Sequence, residues 1–286
     1  MKIGIFSTFI EQAALDLVKT IEDAVEKGEI PNTEVSFIFS SREEGENKIT
    51  DHLLNQLECG RIPLVTFSAS NFEPKMRQET LKRAKEGNDL LLSHWRNLFG
   101  DEITKRLPQT DLDVLVGDMY IWGDNLTRRR NGINLHPALP HGPKGEWYKV
   151  VWELIENRAS ETGVMMHKVT KDLDRGPTVT FCRFPIKGPQ FDSLWRQLPQ
   201  EPYELSQLIK SEAVQKEKTI HPLHREVRRH GLVREFPLVV QTIKASAEGK
   251  IHFEGDFPVD ETGRTIKGGY DLTDKIDEIV KPILEV

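Results

Sequence analysis

Apolar positions change their spacing along the chain, and each change marks an element. Ile3-Gly4-Ile5-Phe6 is a short apolar run of the kind a buried strand makes. Ala13, Ala14, Leu15, Val18, Ile21 and Val25 then recur at helical spacing, and Gly28 and Pro31 stop that helix. Val35 to Phe39 predicts a second strand, and Asn47 to Leu57 a second amphipathic helix closed by Gly60. Ile62 to Phe67 predicts a third strand. Such strict alternation predicts a doubly wound, mostly parallel α/β sheet.

Residues 71–90 are polar and charged, and predict a helix or a lid-like excursion. An apolar stretch from Leu90 to Phe99 and a short helix from Asp101 to Leu107 follow. Asp113 to Val116 reads as a buried central strand, and Ile133 to His136 as the end of another. Tyr148 to Glu156 places Val151, Leu154 and Ile155 on one helical face. Gly163 to Val169 and Thr178 to Ile186 look like a strand and its hairpin partner. Residues 200–230 are a charged helical region, followed by an apolar helix from Phe236 to Ala245. A short strand from Lys250 to Phe253 and a helix from Asp274 to Leu284 close the chain. No repeat or low-complexity segment interrupts it. The domain expectation is an α/β core over 1–199, with a C-terminal helix and strand extension over 200–286 packed on it.

Composition narrows the class. With 286 residues, 37% hydrophobic, 29% charged and a net charge of -6, the chain reads as a mildly acidic soluble protein. It offers no broad basic surface for nucleic acid. No apolar run approaches the roughly 18 residues of a membrane-spanning helix. The N-terminus enters a strand directly rather than a signal-peptide pattern, so a cytoplasmic location is expected. Cys59 and Cys182 lack metal-ligand spacing and are expected to be free and buried. His221, His224 and His230, interleaved with Arg225, Arg228 and Arg229, suggest a polar helix face or an anion site; no metal is expected. His94 and His141 have no evident partner, and His141 is placed at a cleft mouth. A homodimer is compatible with the sequence, which does not show one.

The chemistry concentrates in two segments, Asn134-Leu135-His136-Pro137-Ala138-Leu139-Pro140 and Asp172-Leu173-Asp174-Arg175-Gly176-Pro177. A carboxamide donates to an oxygen that becomes negative as an amine attacks a carbonyl. His136, two residues beyond Asn134, shares its side of an extended segment, and can donate to the same oxygen or move a proton. Asp174 can raise the imidazole's proton affinity or orient a water, and Gly176-Pro177 supplies a turn that brings it inward. Each residue alone is as well explained by a strand end or a turn. The three together point to acyl transfer.

In these segments the chain resembles the folate-dependent formyltransferases, in particular the phosphoribosylglycinamide formyltransferase branch. That family shows Asn-Ile-His-Pro-Ser-Leu-Leu-Pro and a Leu-Asp-Gly-Gly-Pro turn. Leu115-Val116-Gly117-Asp118-Met119 stands where its strand and Gly-Phe-Met turn stand, and Gly163 to Val169 matches its Gly-x-x-x-His-x-Val strand. Phe236-Pro237-Leu238-Val239 and Glu248-Gly249-Lys250-Ile251 look like its late Tyr-Pro-x-Val helix and Gly-Arg-Leu strand, with an insertion at about 71–97.

The resemblance implies a Rossmann-like formyltransferase fold and catalytic roles for Asn134, His136 and Asp174. It implies 10-formyltetrahydrofolate as donor, bound by Met119, Tyr120, Ile121 and Trp122 and by the loop Val169, Thr170, Lys171, Asp172 and Leu173. Tyr120 and Trp122 replace the family's Arg and Leu, and ordinary core or cleft-edge packing explains them equally well.

Departures gather on the acceptor side. The family's phosphate-holding glycine loop is replaced by Ser7-Thr8-Phe9-Ile10-Glu11-Gln12, and its substrate-binding Glu falls at Leu232. Arg128-Arg129-Arg130 is best read as a solvated basic turn, an anion site being the alternative. The resemblance implies an enzyme of one-carbon metabolism acting on small molecules, with phosphoribosylglycinamide, in purine biosynthesis, the acceptor expected first. The alternatives are another amine such as an amino sugar, formyltetrahydrofolate hydrolysis, and non-catalytic folate binding. Formyltetrahydrofolate hydrolases usually place a small domain before the core. Here the core begins at Met1, which counts against that alternative.

Overall fold

The computed structural model describes residues 1–214 and 221–285. Five strands run parallel: β1 (Lys2–Ser7), β2 (Glu34–Ser40), β3 (Leu64–Thr66), β4 (Leu112–Leu115) and β5 (Gly132–His136). β6 (Glu161–Lys168) runs against β5, and β7 (Thr178–Pro185) against β6. β8 (Ile251–Glu254) and β9 (Phe257–Asp260) form a separate hairpin. β10 (Tyr270–Asp271) completes the main sheet beside β7, in the order β10-β7-β6-β5-β4-β1-β2-β3. The predicted α/β sheet is therefore present and mostly parallel. The chain leaves β1 toward β2 and β3 and returns on the other side at β4, so a topological switch point opens between β1 and β4.

Ten helices follow among the described residues: α1 (Gln12–Glu26), α2 (Lys48–Glu58), α3 (Pro74–Lys85), α4 (Leu90–Arg106), α5 (Asp124–Arg129), α6 (Trp147–Glu156), α7 (Asp192–Trp195), α8 (Pro202–Ala213), α9 (Pro222–Ala247) and α10 (Thr273–Leu284). Side-chain alternation along β1 sends Ile3 and Ile5 into a core with α1, α2, α9 and α10, and Phe6 into an aromatic core with α4 and α5. α6, α7, α8 and the start of α9 build a third cluster around Trp152, Trp195 and Leu223. Burial on both faces explains why the central strands read as continuous apolar runs.

Several expectations are corrected. Leu90–Arg106 is one helix rather than an apolar stretch and a separate short one. A Cβ on Gly100 would lie 2.9 Å from Leu126 Cβ, so this glycine allows α4 to approach α5 and does not end the helix. Of the helix or lid-like excursion expected at 71–90, the helix is present as α3, mostly exposed, with Phe72, Met76 and Ala84 set against the aromatic core. Trp95 stacks on Phe99 at 5.3 Å, and its Nε1 donates to the Phe72 carbonyl at 3.2 Å. The Phe236–Ala245 helix is the latter part of α9, which starts at Pro222. Of the charged region expected at 200–230, residues 215–220 lie outside the described residues. Cys182 is buried as expected, whereas Cys59 is exposed.

Arg130 is not part of a solvated turn. Its side chain is fully buried, its Nε donates to Asp113 Oδ2 at 2.6 Å, and its guanidinium lies 5.2 Å from the Phe37 ring centroid. Arg130 precedes β5 and Asp113 lies on β4, so the pair ties together the two strands that carry the cleft. His224 and His230 are also buried rather than on a polar face. His224 Nε2 donates to the Tyr148 carbonyl at 3.0 Å, which joins α9 to α6.

Candidate active site

A cleft of about 430 Å³ opens at the switch point, over the C-terminal ends of β4 and β5 and the β1–α1 turn. Ligands of open α/β sheets bind in this position. Asn134 and His136 lie at the end of β5, and both line the cleft. Antiparallel pairing of β5 with β6 sets His167 opposite Asn134. The Asn134 carboxamide nitrogen is 3.2 Å from His167 Nε2, while His167 Nδ1 donates to the Lys168 carbonyl at 2.9 Å.

Asp174 reaches the same cluster from the β6–β7 connection. Its backbone is left-handed (φ 51), a conformation Asp tolerates better than most residues. A Cβ on Gly176 would come within 1.7 Å of the Lys168 carbonyl oxygen, so only glycine lets this turn fold back onto β6. Asp174 Oδ2 then lies 3.6 Å from His136 Nδ1 and accepts the Gly145 N–H at 3.0 Å. Its Oδ1 is 3.3 Å from His167 Nε2. His136 Nε2 donates to the Pro143 carbonyl at 2.8 Å.

Burial sets the charges. It lowers the His136 pKa, against the opposing pull of Asp174 and the Pro143 carbonyl, so the ring rests neutral at pH 7. For Asp174 burial acts upward, but the His167 hydrogen bond, the electrostatic pull of the nearby His136 ring as it takes up a proton, and the Gly145 N–H outweigh it and hold the carboxyl below its usual range. A neutral imidazole beside a firmly ionised carboxylate can accept a proton and have the resulting cation stabilised. With Nδ1 on the Lys168 carbonyl, His167 turns Nε2 to both Asn134 Nδ2, at 3.2 Å, and Asp174 Oδ1, at 3.3 Å.

The wall beyond β4 is apolar. Met119 and Leu173 are 51% and 50% exposed, and both face the cleft. Tyr120, Ile121, Val169, Thr170 and Asp172 line it too, whereas Lys171 does not. Trp122 forms its floor from the core side, packed edge-on against Phe6 at 5.0 Å and 1% exposed. Tyr120 is tethered through its hydroxyl to the Arg96 carbonyl at 2.9 Å. No residue of 71–97 lines the cleft, and neither does His141.

The opposite wall comes from Glu11 at the start of α1, Trp147 and Tyr148 on α6, and Arg228 and Glu235 on α9. Trp147 Nε1 donates to Glu11 at 3.2 Å. Arg228 donates to Glu235 and lies 4.8 Å over the Trp147 ring. Sequence reasoning missed His167, Arg228 and Glu235. Hairpin register would have revealed His167, and the spacing of 228 and 235 along one helical face would have paired the other two. Leu232, counted as the family's Glu position, instead lines a separate groove with Phe236 and Ile279. The described residues contain no His/Cys/Asp/Glu group able to hold a metal ion. No described helix is long and apolar enough to cross a membrane.

No family model matches the chain, and no curated protein sequence does. Solved structures do. Glycinamide ribonucleotide transformylase 1 from Symbiobacterium toebii matches with a TM-score of 0.59 at 16% identity, over 91% of this chain and 93% of that one. Phosphoribosylglycinamide formyltransferase from Coxiella burnetii matches with a TM-score of 0.58 at 17% identity, over 95% and 98%. The Brucella melitensis protein of the same name matches with a TM-score of 0.53 at 15% identity, over 88% and 98%. The fold is thus shared with these proteins over nearly the whole chain.

Proposed function

We propose that this chain is a folate-dependent N-formyltransferase, moving a formyl group from 10-formyltetrahydrofolate to a primary amine. The observation that carries the reading is the single cluster of Asn134, His136, His167 and Asp174 on the wall of a cleft whose other wall is exposed and apolar. Met119 and Leu173, with Ile121 and Val169 between them in character, suit a flat heteroaromatic ring. A ring seated there would turn its one-carbon substituent toward the polar cluster.

In the reaction the amine nitrogen forms a bond to the formyl carbon, and the carbonyl electron pair moves onto oxygen. The Asn134 carboxamide, held beside His167 Nε2, donates to that oxyanion. The proton lost by the amine passes to the neutral His136, whose cation Asp174 stabilises. Collapse returns the electrons, breaks the bond to N10 and delivers the proton to that nitrogen. Asp174 and His167 hold the acceptor imidazole and the donor amide in register.

Phosphoribosylglycinamide heads the acceptors to assay, on the names of the structural neighbours, with an amino sugar beside it. Purified protein is given 10-formyltetrahydrofolate with and without amine, and tetrahydrofolate release is followed. Release that depends on the amine is expected. Release without any amine would instead make the protein a hydrolase, and donor binding with no release would make it a folate-binding protein.

A further inference from the structure

Part of the apolar side of the cleft is Met119 to Trp122, a segment between β4 and α5 with no regular secondary structure. Between Asp118 and Trp122 no backbone N–H meets a backbone carbonyl among the described residues, so strand pairing does not fix this segment. Two of its N–H groups meet side chains instead. The Met119 N–H donates to Thr8 Oγ1 at 2.7 Å, and the Tyr120 N–H to Asp118 Oδ1 at 3.2 Å. Thr8 in turn donates to Asp118 Oδ1 at 3.0 Å. The Ser41 hydroxyl lies 3.1 Å from Thr8 Oγ1 and 3.4 Å from Asp118 Oδ1. Thr8 directly follows β1 and Ser41 directly follows β2, while left-handed Gly117 (φ 66) turns the chain beyond β4. One carboxylate oxygen thus joins the ends of β1, β2 and β4 to the backbone of the apolar wall. Burial pushes this carboxyl up to about 6, against the pull of the Tyr120 N–H, the Thr8 and Ser41 hydroxyls and the Trp122 indole. Perturbed carboxylates beside a cleft gather at functional sites.

Building on the formyl-transfer reading, we propose that Asp118 and Thr8 are positioning residues for the formyl donor, holding the Met119–Trp122 wall in place for its heteroaromatic ring. Met119, half exposed, adds to affinity most when its backbone is already fixed, because ordering a loop on binding subtracts from the gain. Neither Thr8 nor Ser41 lines the cleft, so an effect of either on a ligand must pass through this network.

The test is calorimetry of the full chain with 5-formyltetrahydrofolate, a stable analogue of the donor. Thr8→Val and Asp118→Ala are each expected to weaken binding by about tenfold, and Ser41→Ala, at the longest contact, by about twofold. Thr8→Ser keeps the hydroxyl and should bind within about twofold of wild type. Thr8→Val decides the matter where Asp118→Ala does not fold. A lowered unfolding midpoint with affinity unchanged would make the network structural only and overturn the proposal. Binding by Thr8→Ser as weak as that of Thr8→Val would overturn it too, by placing the effect in packing rather than in the hydroxyl. Wild-type protein that binds while the variants match it sinks this proposal alone. No binding by the wild type sinks the transferase reading beneath it as well.

Discussion

The two polar walls of the cleft are built differently. The Asn134 wall is local: two adjacent strands, β5 and β6, and one turn bring Asn134, His136, His167 and Asp174 within hydrogen-bonding or ion-pair range. The Glu235 wall is assembled from α1, α6 and α9, far apart in the chain and joined by side-chain contacts such as Trp147 to Glu11, Arg228 to Trp147 and His224 to Tyr148. A wall fixed by strand register keeps its geometry as the surrounding sequence changes. A wall made from helix faces changes its chemistry with each residue that faces inward. The chain shares its fold with structural neighbours at 15–17% identity, a level at which inward-facing helix residues are free to differ.

The largest effect that would break the comparison lies beneath the local wall. Arg130→Met leaves Asp113 as an uncompensated buried charge between β4 and β5. A loss of about 3–5 kcal/mol is expected by denaturant unfolding. A loss below about 1 kcal/mol would show that the pair does not support the wall. Asn134→Ala acts on chemistry instead of folding. It should lower kcat by roughly 10²–10³ while 5-formyltetrahydrofolate affinity stays within about twofold, read by steady-state kinetics and calorimetry. An equal fall in both would reassign Asn134 to donor binding.

The pH dependence sharpens the other side. Burial holds His224 at about 4, below the 6.5 of an unconstrained ring. As pH falls the unfolded chain takes up this proton first, so the stability tied to neutral His224 is lost from 6.5 downward and gone below about 4. His224→Gln lacks that proton. The variant's deficit relative to wild type should therefore shrink by about 3 kcal/mol between pH 7 and pH 4 in parallel unfolding curves. A constant deficit would mean that His224 titrates normally. Asp118 has the opposite sign. Burial pushes its carboxyl up to about 6, so the folded state binds that proton first and gains stability as pH falls from 6 toward 3.8. The smallest effect is expected at the assembled wall itself. Glu235→Gln should raise the amine KM by about tenfold, with a lesser fall in kcat. The reverse split would place Glu235 in the chemical step.

Much of the local wall was legible in the sequence. Asn134 and His136 share a strand face because side chains alternate, and Gly176 marks the tight turn that delivers Asp174. His167 was in view within its strand pattern, but its role depends on which residue it faces across β6 and β5, and pairing register is a tertiary fact. Glu235 was hidden for a related reason. Counting from Phe236-Pro237 located Leu232, yet the packing of α9 turns Glu235 to the cleft and leaves Leu232 in a separate groove. The Arg128-Arg129-Arg130 run misled because three like charges look solvated, and nothing nearby in sequence announces the buried Asp113.

By itself the sequence determined the alternation of strand and helix, the mostly parallel sheet, and the residues at the end of β5 and in the Asp174 turn. These follow from periodicity and turn chemistry, which act over a few residues. Only the tertiary structure decided which charges were buried in pairs, that Leu92 and Trp95 join the aromatic core of the sheet, and what the cleft wall of α1, α6 and α9 is made of. Those outcomes depend on which helix face meets which strand end, and such contacts join residues that no local pattern connects.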